Sequence, residues 1–187
     1  MTNRAEVGVA AKTGAGNRSV YLLALIVIAA FAVFLAGCAS MGHTVTRRAA
    51  PPFKVSLVSG GEATLEQFSG KPLVLVIGAS WCPHCLHELP DLVRFHEKYG
   101  ERVGLLMVFI KSEPGEVKDL VTEHDLKFMV AQDEQAEIAK PYEVKGMPVT
   151  FFIDPGGTIV DEYLGGITLD RLTERVDSML SPAQPAK

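Results

Sequence analysis

A positive excess is the first thing this sequence does without. Lys and Arg total 18 against 22 Asp and Glu, a net charge of −4 over 187 residues. That balance leaves no electropositive face of the kind nucleic-acid binding needs. Cysteine is scarce as well: Cys38, Cys82 and Cys85 are the three present. Only Cys82 and Cys85 are spaced as C-x-x-C, and no second such pair exists. A structural zinc site wants four closed ligands, usually from two pairs, so its absence speaks against a zinc knuckle at Cys82, Cys85, His84 or His87. There is no internal repeat and no low-complexity segment. The length suits one ordinary domain with extras.

One of those extras is N-terminal. Val20 to Phe34 is apolar and uncharged, and Arg4, Lys12 and Arg18 precede it, opposed by Glu6. A positive segment followed by an apolar one is an export signal. Leu35-Ala36-Gly37-Cys38 resembles a bacterial lipoprotein lipobox. That resemblance implies cleavage before Cys38 and lipidation of its thiol; an uncleaved signal anchor is the other reading. Either way the chain beyond Cys38 lies outside the cytoplasm, where disulfide chemistry is permitted. The expected organisation is a signal peptide over 1–37 and a lipidated tether over 38–52. A folded domain then spans 53–181, and a frayed tail 182–187. Arg47-Arg48 read as part of a solvated linker.

Within the domain, Phe53 to Leu57 alternates as a strand, Ser59-Gly60-Gly61 turns, and Ala63 to Leu65 returns, predicting an N-terminal β-hairpin. Leu65 to Phe68 predicts a helical turn. Pro72 to Gly78 and Val103 to Ile110 are continuous apolar runs, the mark of strands buried on both faces. Between them Pro83 to Tyr99 predicts a helix kinked at Pro90, with Leu86, Leu89, Leu92, Val93 and His96 as its stripe. Ser112-Glu113-Pro114 opens another helix, with Glu113 and Glu116 in its first turn, ending near His124. A short strand over Lys127 to Val130 follows, then a helix over Glu134 to Lys140 capped by Asp133. Val149 to Ile153 and Thr158 to Leu164 flank a turn at Asp154 to Gly157, and Thr168 caps a last helix ending near Leu180. Alternating strands and helices that finish in a hairpin predict an α/β domain with a mixed central sheet.

The chemistry concentrates at Trp81-Cys82-Pro83-His84-Cys85. Cys82 falls where a buried strand hands over to a helix, whose free N–H groups and dipole favour a thiolate. Cys85, one turn further in, is placed to attack a mixed disulfide formed on Cys82. Pro83 suits the first helical position. A protonated His84 would stabilise the Cys82 thiolate. Trp81 is expected to pack beside the pair and shield it. The remaining histidines read as surface or structural residues.

Together with Gly70-Lys71-Pro72, Glu88, Pro90, Tyr142-x-Val144-x-Gly146-x-Pro148 and Phe151-Phe152-Ile153-Asp154, this stretch resembles the membrane-anchored, thioredoxin-like thiol–disulfide oxidoreductases of bacteria, the TlpA/ResA group. The resemblance covers about residues 53–180. It implies a thioredoxin-like fold and a Cys82–Cys85 dithiol/disulfide as the redox centre, with no further cofactor or metal. It also implies a cis-proline at Pro148 beside Cys82, leaving backbone near Met147 free to pair with an extended substrate, and Glu88 as a proton-relaying carboxylate. The implied partners are protein thiols or disulfides and a membrane electron donor or acceptor, acting on a monomer at the cell envelope. Reduction of apocytochrome c before haem attachment is a common role in that group. Pro83-His84 departs from it and resembles the dipeptide of the oxidising DsbA proteins. Oxidation of secreted proteins is therefore one alternative. A peroxiredoxin-type peroxidase is another, but it wants a Pro-x-x-x-Thr-x-x-Cys pattern, which the stretch containing Gly78 and Trp81 does not supply. A copper metallochaperone is a third, weakened because no histidine follows His124.

Overall fold

A computed structural model describes residues 47–181. The export segment, the lipobox with Cys38, most of the expected tether and the 182–187 tail lie outside the described residues. Eight strands form one mixed sheet: β1 (Arg48–Ala49), β2 (Lys54–Leu57), β3 (Glu62–Thr64), β4 (Leu73–Gly78), β5 (Gly104–Ile110), β6 (Met129–Asp133), β7 (Val149–Ile153) and β8 (Thr158–Leu164). Their order across the sheet is β1-β8-β7-β4-β5-β6-β2-β3. Strands β4, β5 and β6 run parallel, and β7 and β8 are antiparallel additions. The helices are α1 (Pro83–His87), α2 (Leu89–Tyr99), α3 (Pro114–Glu123) and α4 (Leu169–Leu180), with a 3-10 turn at Leu65–Phe68.

The apolar runs form the centre of the sheet because every residue of β4 and β5 is buried. Pleating sends alternate side chains to opposite faces. Leu73, Leu75, Ile77, Leu106, Val108 and Phe151 face one cluster with Tyr142 and Phe53. Val74, Val76, Met107, Phe109 and Phe152 face the other, under Leu89, Leu92 and Phe95 of α2 and Leu172 and Val176 of α4. The stripe of α2 is therefore Leu89, Leu92, Phe95 and Tyr99, rather than one running through Val93 and His96, which are only partly buried. The N-terminal hairpin forms as expected, its turn made by Gly60 and Gly61 at φ 94° and 83°. At such angles a Cβ is disfavoured.

Four expectations change. The tether does not reach residue 52: Arg48 and Ala49 pair with Ile159 and Thr158, so the folded domain begins before Phe53. The predicted helix over Glu134 to Lys140 is a series of turns. Ala136 adopts φ 55°, which an α-helix cannot contain, and Asp133 Oδ2 accepts from the Ile138 N–H at 2.9 Å instead of capping a regular helix. The strand placed at Lys127 to Val130 lies at Met129–Asp133, where it pairs with both β5 and β2. The long helix is divided at Glu88, two residues before Pro90, into α1 and α2. A proline cannot donate to the carbonyl four residues back, so the division follows from the sequence.

Candidate active site

Strand β4 ends at Gly78, and Ala79, Ser80 and Trp81 carry the chain to Cys82, the N-cap of α1. The backbone at Cys82 is extended, and its carbonyl accepts from the Cys85 N–H at 3.0 Å and the Leu86 N–H at 3.2 Å. Pro83 occupies the first helical position, where its missing N–H costs nothing. Both thiols are free and buried, and they form a small cluster with Ala79, against which Met147 packs. Burial pushes the Cys85 thiol far above its ordinary range, and hydrogen bonding to Cys82 and the charges of Cys82 and Glu88 add to this.

The loop before Cys82 is pinned from the β5–α3 connection and from α3. The Ser80 N–H donates to Ser112 Oγ at 2.9 Å, and Ser80 Oγ donates to Glu116 Oε2 at 2.6 Å. Ser112 Oγ in turn donates to the Ile110 carbonyl. Trp81 does not shield the thiols from within. The residue is 58% exposed, and its Nε1 donates to the Lys111 carbonyl at 2.9 Å. A groove of about 280 Å³ lies beside it, lined by Ser80, Trp81, Glu116, Asp119, Leu120 and Glu123. His84 and Pro83 are exposed on α1.

Glu88 is 3% exposed, at the junction of α1 and α2. Its Oε2 accepts from the Ile167 N–H at 2.9 Å, while Oε1 is buried without a partner. Burial raises its pKa to about 7, and the Asp91 charge adds to this; the bond from Ile167 pulls the other way. Such a carboxyl changes charge near neutrality, as a proton carrier must. The Met147–Pro148 peptide bond is cis. The Pro148 carbonyl accepts from the Gly165 N–H at 2.7 Å, and next to it stands Leu164, 60% exposed.

The fold thus gathers Trp81, Cys82, Pro83, Cys85 and the Met147-Pro148 bend at the carboxyl end of β4, with Glu88 one turn below. Sequence reasoning does not single out Ser80, Ser112 or the Ile167 N–H. Ser112 reads locally as a residue opening α3, and Glu116 as a first-turn acid; each is turned instead toward a loop more than thirty positions away. Among the described residues, no three of His, Cys, Asp and Glu gather as a metal-binding group.

A family model described as the AhpC/TSA family matches residues 46–162. The thiol-disulfide oxidoreductase ResA of Bacillus thuringiensis subsp. konkukian is 35% identical over 127 residues, 67% of this chain and 73% of the relative. Among solved structures, a Chlorobium tepidum protein described as a DsbE thiol:disulfide interchange protein superposes with a TM-score of 0.66. It is 26% identical and covers 71% of this chain and 96% of its own. The exposed lipoprotein thioredoxin Etrx1 of Streptococcus pneumoniae superposes with a TM-score of 0.62 at 25% identity, over 68% of this chain and 99% of its own. With two thiols at a strand-to-helix junction of a thioredoxin-like sheet, this chain belongs to the AhpC/TSA family and, within it, to the ResA-type thiol–disulfide oxidoreductases.

Proposed function

We propose that Cys82 and Cys85 are the redox couple and that the reduced pair delivers two electrons to a disulfide in an extracytoplasmic protein. The Cys82 thiolate attacks one sulfur of the substrate disulfide, forming a mixed disulfide and releasing the other sulfur as a thiolate. Cys85 then attacks the Cys82 sulfur. The substrate leaves fully reduced, the enzyme holds a Cys82–Cys85 disulfide, and the Cys85 proton passes to the Glu88 carboxylate. The observation that carries this reading is the burial of Cys85 next to Cys82 with Glu88 beneath. A thiol so placed stays protonated until a mixed disulfide has formed and a base can take its proton. No cofactor beyond the dithiol is required.

Met147 and Pro148 offer backbone beside the thiols to an extended substrate, and exposed Trp81 and Leu164 flank it. The reducing direction, with a membrane electron donor to regenerate the dithiol, is the one the TlpA/ResA resemblance implies. A cytochrome c maturation substrate is implied in the same way. The Streptococcus pneumoniae relative is an exposed lipoprotein, in line with lipidation at Cys38 and a site facing outward. Pro83-His84 would shift the couple toward oxidation. The deciding measurement is its reduction potential. A value near that of thioredoxin, about −270 mV, is expected; one near that of DsbA, about −120 mV, would make the protein an oxidase. A Cys82→Ser variant should lose exchange entirely, and exchange at the parent rate would overturn the assignment of Cys82.

A further inference from the structure

The last residues of the expected tether are bound to the loop that leads to Pro148. Tyr142, fully buried, donates its hydroxyl to the Pro51 carbonyl at 2.8 Å, and Arg48 Nη2 donates to the Tyr142 carbonyl at 3.3 Å. The Arg48 guanidinium also lies 3.6 Å from Glu162 of β8 and 5.9 Å from the centre of the Phe151 ring. Tyr142 packs edge-on against Phe151 at 5.1 Å and against Phe53 at 6.3 Å. The Ala50 N–H donates to the Gly157 carbonyl at 2.8 Å, closing the strap onto the sheet. Residues 48–53 thus hold Tyr142 from both its ends, hydroxyl and carbonyl.

Tyr142 opens the segment that ends at Pro148. Between them Glu143 is held at φ 55°, and Val144 and Met147 pack on the core. Met147 then touches the thiol cluster. No regular helix supports this segment, since Ala136 interrupts the stretch before it. Besides the turn bonds from the Glu143 and Val144 N–H groups to the Lys140 and Ala139 carbonyls, it is tied at its two ends, Tyr142 under the strap and Pro148 bonded to Gly165.

We infer that Arg48 and Tyr142 are positioning residues for substrate docking, through which the strap sets the placement of the Met147-Pro148 backbone beside Cys82. This rests on the proposed exchange of disulfides with extended polypeptides. A small aromatic disulfide needs only the Cys82 sulfur, whereas a polypeptide must also align along the loop. Loosening the loop therefore penalises only the polypeptide.

The test uses the full chain, reduced, as parent, Arg48→Ala and Tyr142→Phe. Each is mixed with dithiobis(nitrobenzoate) and, separately, with an extended peptide carrying one disulfide, and Trp81 fluorescence reports oxidation. Losing one hydrogen bond that orders the loop should slow the peptide reaction about two- to tenfold in either variant. The dithiobis(nitrobenzoate) rate and the reduction potential should stay at the parent values. A peptide rate unchanged in Arg48→Ala, a partly exposed site whose loss leaves the core intact, would reduce the strap to a structural clasp and overturn the inference. Equal slowing of both reactions would also overturn it, because the effect would then lie at the thiols. A parent inert toward both disulfides would overturn the proposed function itself.

Discussion

Glu88 shows how much one buried carboxyl can carry. Its pKa, raised to about 7 by burial, means the native protein holds a proton through a pH window where the unfolded chain has released it. Native binding of more protons makes stability fall as pH rises. The fall begins near the ordinary carboxylate value and is complete once pH has passed about 7. Integrated over that window the loss is about 3 kcal/mol. Urea denaturation of the reduced protein from pH 4.5 to pH 7.5 should show it, and Glu88→Gln, which stays neutral, should flatten that part of the profile. An identical slope in parent and variant would mean the carboxyl is solvated. The position of Glu88 is legible in the sequence, three residues after Cys85. Its environment is not, because the group that bonds it, the Ile167 N–H, arrives from 79 residues away.

Among the elements, the strand-to-helix handover at Cys82 follows the sequence closely: an apolar run, then Pro83 at the first helical position. Thr168 likewise caps α4, its side chain accepting from the Arg171 N–H. Failures occur where side chains answer to distant partners. Ser112 looks like a helix opener, yet Glu113 is the N-cap of α3 and Ser112 points inward to the Ser80 N–H. Ser112→Ala would leave that buried N–H without an acceptor, at a cost of about 1–3 kcal/mol. Thermal or urea unfolding would measure it, and a neutral result would show that water replaces the hydroxyl. The segment after β6 fails for a related reason. Glu134 to Lys140 has helix-compatible composition, but backbone bonds and packing around Tyr142 hold Ala136 in a left-handed conformation.

For the molecule as a whole, β4 and β5 feed both apolar clusters, Leu75 below and Val76 above. One central layer shared by two cores should make unfolding cooperative. Leu75→Ala should cost about 2–5 kcal/mol. It should move the Trp81 fluorescence and far-ultraviolet dichroism transitions together, and separated midpoints would show that the two faces unfold independently. The register also fixes where the chain enters the domain. Arg48 pairs with Ile159, Ile159 with Ile153, and Ile153 with Leu73, so β1 lies level with the start of β4. The thiols lie beyond its other end, about 20 Å away by strand rise. The strap is thus attached at the pole opposite the redox site and reaches it through Tyr142 and the loop to Pro148.

By itself the sequence determined the redox motif, the two buried parallel strands, the helix carrying Cys85, the closing hairpin and the capped final helix. Each is written in a short run of residues whose periodicity or cap acts within a few positions. Only the tertiary structure decided that Glu88 is shut away from water, that Ser112 braces the loop before Cys82, and that Arg48 belongs to the sheet. It alone joined Tyr142 to Pro51. These depend on contacts between residues some thirty to ninety positions apart, whose desolvation and hydrogen bonding exist only once the sheet has brought them together.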